Sequence, residues 1–176
     1  KVVTMFTAYY IAPNQQEYIT PEIIQEKFKL INTEQIFNPT IENLGFVKTE
    51  KDLEKILQLN LFSTTLTWNY DNNLAGGALG TQTLTPFGKK IIKKLESNNI
   101  IIDTAHLNNA SFYDFSSITT KPLFCSHTGS KSINNIPRNL DNHQLKLINQ
   151  SNGYVGLCLY NSLLSYTQAD LFTILR

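Results

Sequence analysis

Short apolar segments that alternate with helix-type patterns are the feature that most constrains how this chain can fold. Segments such as IIIDTA and GYVGLCLY carry apolar residues at successive positions instead of only at every second one. That pattern is typical of strands buried on both faces, as in a parallel sheet covered by helices. The alternation therefore predicts an α/β fold built from parallel βα units with right-handed crossovers. The order fits either a (β/α) barrel or a doubly wound sheet.

Capping residues mark where the helices begin. Thr20, Thr49 and Thr85 each precede an amphipathic pattern, and a proline follows the first and the last of them at the first helical position. A later helix is expected to start at Asn139 or Asp141. The predicted helices cover residues 20–31, 49–60, 85–99, 109–117, 138–151 and 167–176. The predicted strands, five in all, cover residues 2–12, 61–68, 100–105, 121–126 and 153–160.

Composition excludes several classes of protein. The chain has 176 residues, 41% hydrophobic and 16% charged, which is enough for a packed core. No Pro-, Gly- or Ser-rich linker divides it, so residues 1–176 are expected to form one domain. The net charge is +1 with basic residues scattered among acidic ones, so no nucleic-acid partner is expected. The longest apolar runs are about five residues, against the roughly 20 that a bilayer requires, so no membrane segment is expected.

The cysteines and the start of the chain suggest a compartment. Cys125 and Cys158 both lie in apolar segments, which favours buried reduced thiols over a disulfide. No basic-then-apolar leader precedes the first strand. The expected location is therefore cytoplasmic.

Two histidines end strand-like segments. His106 follows IIIDTA and His127 follows KPLFCS, 21 residues later, a spacing that fits one βα unit. In parallel α/β folds the carboxyl ends of the strands form the active site, so the two imidazoles should emerge side by side. Two neutral imidazoles in such positions are suited to holding one metal ion. Each alone would more often be a capping or core residue.

Three further residues could complete such a site. Glu42 follows a short apolar run and could end another strand, or lie in a solvated loop. Asp103 could orient a histidine ligand or bond only to backbone. Arg138 could bind a substrate carboxylate, or be a surface residue beside a helix. His143 lies within a predicted helix and is expected to be exposed. These residues together indicate a metal-dependent hydrolase; the glycine-rich AGGALG follows no strand and favours a dinucleotide site only weakly.

Four segments resemble the membrane (renal) dipeptidase family, zinc peptidases of the amidohydrolase type. They are LTWNYDNN, LTPFGKKIIKKLESNNIIIDTAHLN, KPLFCSHTGSKSI and PRNLDNHQLKLI, and they follow the order and spacing of the family patterns LTxxG, IDxSH, PVxxSH and RN(L/V)xD. The resemblance implies a (β/α)₈ TIM-type barrel with two zinc ions at its carboxyl-terminal face. It also implies hydrolysis of dipeptides by a metal-bridging hydroxide that attacks the peptide carbonyl.

The resemblance assigns roles to five residues. His106 and His127 correspond to ligands of one zinc, and Glu42 to the catalytic carboxylate that bridges both metals. Arg138 corresponds to the residue that contacts the dipeptide carboxylate, and Tyr10 to an aromatic residue near the substrate. A dipeptide is thus the implied partner, and zinc the implied cofactor, with two ions in the family and one or none expected for this chain alone.

The chain also departs from the family pattern. Asn43 replaces the glycine that follows the bridging glutamate, and Trp68 replaces a substrate-binding histidine of animal members. The His-x-Asp pair of the first strand and the late GSDFDG segment have no counterpart, so the chain resembles the middle of the family sequence and an incomplete barrel of about five strands. Two readings stay open: part of a zinc dipeptidase that a flanking segment or a homodimer completes, or an inactive remnant that serves as a binding module.

Overall fold

The computed structural model describes residues 19–29 and 38–165, together with the backbone of residues 6–10, 30 and 31. Six parallel strands form one sheet whose spatial order is the order of the chain. This order, with a helix between successive strands, is that of an incomplete (β/α)₈ barrel. The strands are β1 (Phe6–Tyr10), β2 (Asn38–Glu42), β3 (Ser63–Thr65), β4 (Ile101–Asp103), β5 (Phe124–Thr128) and β6 (Tyr154–Leu157).

The helices begin where the capping residues predict. Thr49 and Asp141 each accept from the backbone N–H three residues on and form a capping box, and the Thr85 hydroxyl accepts from Gly88. Thr20 accepts from the N–H of Ile23 in the same way. The helices are α1 (Pro21–Ile31), α2 (Glu50–Leu57), α3 (Pro86–Ser97), α4 (Asn109–Ile118), α5 (Asn142–Gln150) and the single-turn α6 (Asn161–Leu164). No helix of the described residues combines the length and apolar character needed to cross a lipid bilayer.

The sheet has one strand more than the five counted from the sequence. The additional strand is β2, whose residues NPTIE include a proline and have too few apolar positions to stand out. It pairs along its whole length with β1, and Thr40 and Ile41 continue the ladder to β3. Glu42 is therefore a strand-end residue. The helix predicted over residues 167–176 lies outside the described residues.

The core lies between the sheet and the helices. Ile41, Ile102 and Cys125 from three strands are buried with apolar residues of α2 and α3, among them Ile56 and Ile91. The thiols of Cys125 and Cys158 are free, the first buried and the second half-buried.

The opposite, concave face of the sheet carries an open groove. The groove has a volume of about 810 Å³ and is lined by one or more residues from each of five strands, including Thr40, Ser63, Ile101, Phe124 and Tyr154. Glu42 and His127 lie at the end of the groove where the strands have their carboxyl ends. The fold thus places Glu42 and His127 at one end of this groove.

Candidate metal centre

Glu42, His106 and His127 converge at the carboxyl ends of β2, β4 and β5. Glu42 Oε1 lies 2.7 Å from Nε2 of His106 and 3.5 Å from Nε2 of His127. The two Nε2 atoms are 3.0 Å apart. The side chains are 17%, 7% and 34% exposed, so the cluster is half enclosed and opens on the side of His127. Residues separated by as many as 85 positions thus share one rim because neighbouring parallel strands end together.

A carboxylate fixes the spacing between the two histidine-bearing segments. Asp103, at the end of β4, is 5% exposed, and its Oδ1 accepts from the N–H groups of Ala105 and Ser126, both at 2.9 Å. Ala105 precedes His106 and Ser126 precedes His127. Burial raises the pKa of Asp103. Asp103 thus bonds to backbone directly before each histidine, and it also contacts the side chain of Ser126, which lies beside Nδ1 of His127.

His106 is contacted by the segment Thr67–Trp68–Asn69, which follows β3. The Thr67 hydroxyl donates to the carbonyl of His106 at 3.2 Å. The Trp68 ring centroid lies 5.9 Å from that of the imidazole. Asn69 Oδ1 lies 2.8 Å from Nδ1 of His106. His106 itself adopts φ 70°, a left-handed conformation that costs a non-glycine residue about 1 kcal/mol or more and persists where neighbours fix it.

Ser126 contacts the imidazole of His127 at the same ring nitrogen, Nδ1, at which Asn69 contacts His106. Ser126 Oγ lies 2.7 Å from Nδ1 of His127, so both rings turn Nε2 towards Glu42 and have Nδ1 occupied by a polar neighbour. Asn69 and Ser126 were not singled out from the sequence. Ser126 could have been, because it lies directly before His127 in CSH. Asn69 is 37 residues from its histidine, and no local pattern links the two.

The ionisation of the cluster favours metal binding. Burial opposes the charge on Glu42, but hydrogen bonds with His106 and His127 outweigh it and hold the pKa of Glu42 at about 2. Burial lowers the pKa of His106 to about 4. At neutral pH the cluster therefore contains a carboxylate and a neutral imidazole at His106, which are the forms that bind metal ions.

The donor atoms fit a divalent ion. Asn69 Oδ1 can only accept, so a His106 proton on Nδ1 would donate to it and leave a lone pair on Nε2. In that tautomer the lone pair faces the carboxylate and the second imidazole, an arrangement of donor atoms suited to a cation. Around a tetrahedral zinc ion, ligand atoms lie about 3.3 Å apart. The separations of 2.7, 3.0 and 3.5 Å bracket that value.

Asn43, the residue after Glu42, adopts a backbone conformation that is typical of glycine. Its φ is 79°, in the left-handed region that glycine adopts freely and asparagine tolerates. Asn43 is fully buried, and its Oδ1 accepts from the N–H of Gly45 and from Asn72 Nδ2, each at 3.1 Å. Its own N–H donates to Thr65 Oγ1 at 2.8 Å. Asn43 therefore holds the residue after Glu42 in a backbone conformation that glycine also adopts.

The remaining residues considered from the sequence fall in three places. Arg138 Nη2 donates to the carbonyl of His127 at 3.0 Å, so its guanidinium lies at the same rim, and burial lowers its pKa. The backbone of Tyr10 is in register with Glu42 at the end of β1, whereas its side chain lies outside the described residues. His143 is exposed on α5 and contacts the hydroxyl of Tyr113 at 3.2 Å, away from the cluster.

Comparisons with known proteins give relatives of this chain. An uncharacterized protein of Klebsiella pneumoniae, named for the pqqA 5' region, is 30% identical over 128 residues, which make up 68% of this chain and 47% of that protein. The chain thus spans less than half the length of that relative.

Solved structures show the same fold. The dipeptidase AC, a metallo peptidase of family M19, matches with a TM-score of 0.74 and 20% identity over 91% of this chain and 61% of that one. A metallo peptidase of Rhodobacter sphaeroides, solved with a phosphinate mimic of the dipeptide L-Ala-D-Ala, matches with a TM-score of 0.69 and 22% identity over 90% of this chain and 45% of that one.

The family model described as membrane dipeptidase, peptidase family M19, matches residues 20–174, which is most of the chain. The match includes β2, β4 and β5 with the three converging residues, and it agrees with the resemblance in the sequence motifs. The chain therefore belongs to the membrane dipeptidase family, peptidase family M19.

Proposed function

We propose that this chain forms the part of a zinc-dependent dipeptidase that holds one metal through Glu42, His106 and His127. The observation that carries the proposal is the convergence of one carboxylate oxygen and two imidazole Nε2 atoms within 4.8 Å of one another. Two nitrogens and one oxygen are a common donor set for catalytic zinc. A bound zinc ion supplies Lewis acidity to a peptide carbonyl and lowers the pKa of a water molecule.

The residues of the chain have separate tasks in this reaction. Glu42 is the carboxylate at the centre of the cluster, and His127 lies on its open side, where a substrate would enter from the groove. Arg138 stands at the same rim and is suited to binding the free carboxylate of a dipeptide, which would favour short peptides over long ones. Tyr10, in register with Glu42, would add an aromatic contact. The dipeptide mimic bound by the Rhodobacter relative supports this substrate class.

Zinc titration of the chain tests the metal site. Isothermal titration should give one equivalent of zinc, and His106→Ala should lower the affinity at least tenfold because it removes one of three ligand atoms. His143→Ala is the matched control, since His143 is exposed and lies outside the cluster. Equal affinity in the unaltered chain and His106→Ala would refute the assignment.

A dipeptide hydrolysis assay tests the activity. Release of amino acids from alanyl dipeptides is measured with zinc present, for the chain alone and for the chain joined to the rest of a dipeptidase barrel. Hydrolysis that is lost in Glu42→Gln supports the proposal. Two further points stay predictions: that a flanking segment or a second copy completes the site, and that the protein has a cytoplasmic location.

One observation favours a second candidate function. The described residues offer one group of three metal-binding side chains, whereas the family resemblance implies two zinc ions. A module that binds one metal without catalysis fits that count. Zinc binding without hydrolysis, in the chain alone and in the completed barrel, would favour this candidate over the dipeptidase.

A further inference from the structure

Asn69 contacts the ring nitrogen of His106 that does not face the cluster. Its Oδ1 lies 2.8 Å from Nδ1, while Nε2 of the same ring lies 2.7 Å from Glu42 Oε1 and 3.0 Å from Nε2 of His127. Asn69 is half-buried, and His106 is 7% exposed, so the ring has little access to water. The imidazole therefore stands between two acceptors, an amide oxygen on one side and a carboxylate on the other.

A neutral imidazole has one N–H and can satisfy only one of these acceptors. If the proton is on Nε2, it donates to Glu42 and removes the lone pair that a metal needs. If the proton is on Nδ1, it donates to Asn69 and leaves Nε2 free to bind. The two acceptors thus compete for one proton, and the outcome decides whether His106 is a metal ligand.

We propose that Asn69 is the positioning residue of the metal centre: its side-chain oxygen holds the His106 proton on Nδ1 and so keeps Nε2 available to the metal. The inference rests on the proposed metal site and adds to it a residue that touches no metal. Polar partners on the far nitrogen of a metal-binding histidine fix the tautomer and the ring orientation, and their removal typically costs about 10- to 100-fold in metal affinity.

The geometry of the surrounding segment supports a fixed orientation. Thr67 donates to the His106 carbonyl at 3.2 Å, and the Trp68 ring lies beside the imidazole. These two contacts restrict the conformations of Asn69 and His106, the residues that the Oδ1–Nδ1 contact joins. His106 also has φ 70°, which directs its side chain differently from that of a regular strand residue. Asn69 supplies the one contact in this set that distinguishes the two tautomers.

The test uses Asn69→Leu, which keeps the approximate shape and removes the acceptor, and Asn69→Asp, which keeps an acceptor. Asn73→Leu is the matched control, because Asn73 is a half-buried asparagine of the same loop that bonds to Val47 O at 2.6 Å and has no contact with His106. Zinc affinity is measured by titration, and long-range ¹H–¹⁵N spectra of ¹⁵N-histidine-labelled, zinc-free protein in chelator report the His106 tautomer. Thermal unfolding in chelator confirms that each variant is folded.

The expected result separates positioning from mere packing. Asn69→Leu should lose about 10- to 100-fold in zinc affinity and the protected Nδ1–H signal of His106, while Asn69→Asp retains both. Asn73→Leu should keep the affinity of the unaltered chain whatever its loss of thermal stability. Unchanged affinity and tautomer in Asn69→Leu, with zinc bound by the unaltered chain, would overturn the inference alone. Absence of zinc binding in the unaltered chain would overturn the metal site and the inference with it.

Discussion

The conformation of Asn43 can be tested by two substitutions that remove the same hydrogen bonds but differ in backbone freedom. Asn43→Ala and Asn43→Gly both delete the side-chain oxygen that accepts from Gly45 and from Asn72. Only alanine has a Cβ that conflicts with φ 79°. The difference between the two variants therefore measures the left-handed conformation that places Glu42.

The magnitudes follow from the contacts. Two hydrogen bonds at about 1 kcal/mol each give a loss of about 2 kcal/mol for Asn43→Gly. Asn72 Nδ2 keeps a second acceptor, Leu66 O at 2.8 Å, so most of the loss arises at the buried N–H of Gly45. Alanine adds a left-handed penalty of about 1 kcal/mol, for a total of about 3 kcal/mol.

Urea unfolding in chelator measures both values, with fluorescence of Trp68, the one tryptophan of the chain, as the signal. Zinc affinity should follow the same order, with Asn43→Gly nearer to the unaltered chain, because glycine lets Glu42 keep its place. If the free energy of unfolding of Asn43→Ala equals that of Asn43→Gly, the conformational argument is refuted. A loss well below 1 kcal/mol in both would refute the role of the side-chain hydrogen bonds.

Three further predictions concern other parts of the structure. Burial lowers the pKa of His106 from 6.5 to about 4, so between these pH values the unfolded chain binds a proton that the folded chain does not. In chelator, the free energy of unfolding should therefore fall by up to about 3 kcal/mol as the pH is lowered from 6.5 to about 4. The same pH series with His106→Gln should lack that slope. Gly88→Ala, which helix propensity alone would favour by up to about 1 kcal/mol, should instead lower the unfolding midpoint in urea, because its Cβ would lie 2.1 Å from the carbonyl oxygen of Leu74. A thiol reagent should label Cys158 in the native state and Cys125 only on unfolding, since Cys125 is buried with a pKa raised to about 12; two equally fast thiols would contradict the burial.

Local signals in the sequence were sufficient for the helices and for the two histidines. Thr49, Thr85 and Asp141 were recognisable as caps because a cap acts within three residues of itself. His106 and His127 were recognisable because the ends of parallel strands are functional positions irrespective of the loops that follow. These features depend on neighbours in sequence or on a general property of the fold.

What the sequence did not provide depends on contacts between distant segments. β2 is short and contains a proline, so its strand conformation comes from pairing with β1 and β3 and not from its own propensity. The contact of Asn69 with His106 exists because the loop after β3 passes over the end of β4, and the path of a loop is not encoded in periodicity. The left-handed backbone of His106 is likewise imposed by surrounding hydrogen bonds, since histidine rarely favours it alone.

The strand order also determines how the site responds to thermal fluctuation. β2 pairs with β1 and β3, β4 with β3 and β5, and β5 with β4 and β6, so each strand that ends near a member of the cluster has a neighbour on both sides. Within the described sheet, fraying begins at its outermost strands, β1 and β6, where one side of the ladder is held less firmly. Opening of β6 would leave Glu42, His106 and His127 on paired strands, whereas opening of β1 would remove the ladder partner of Glu42. The cluster should therefore outlast fraying of β6 and lose Glu42 first when β1 opens.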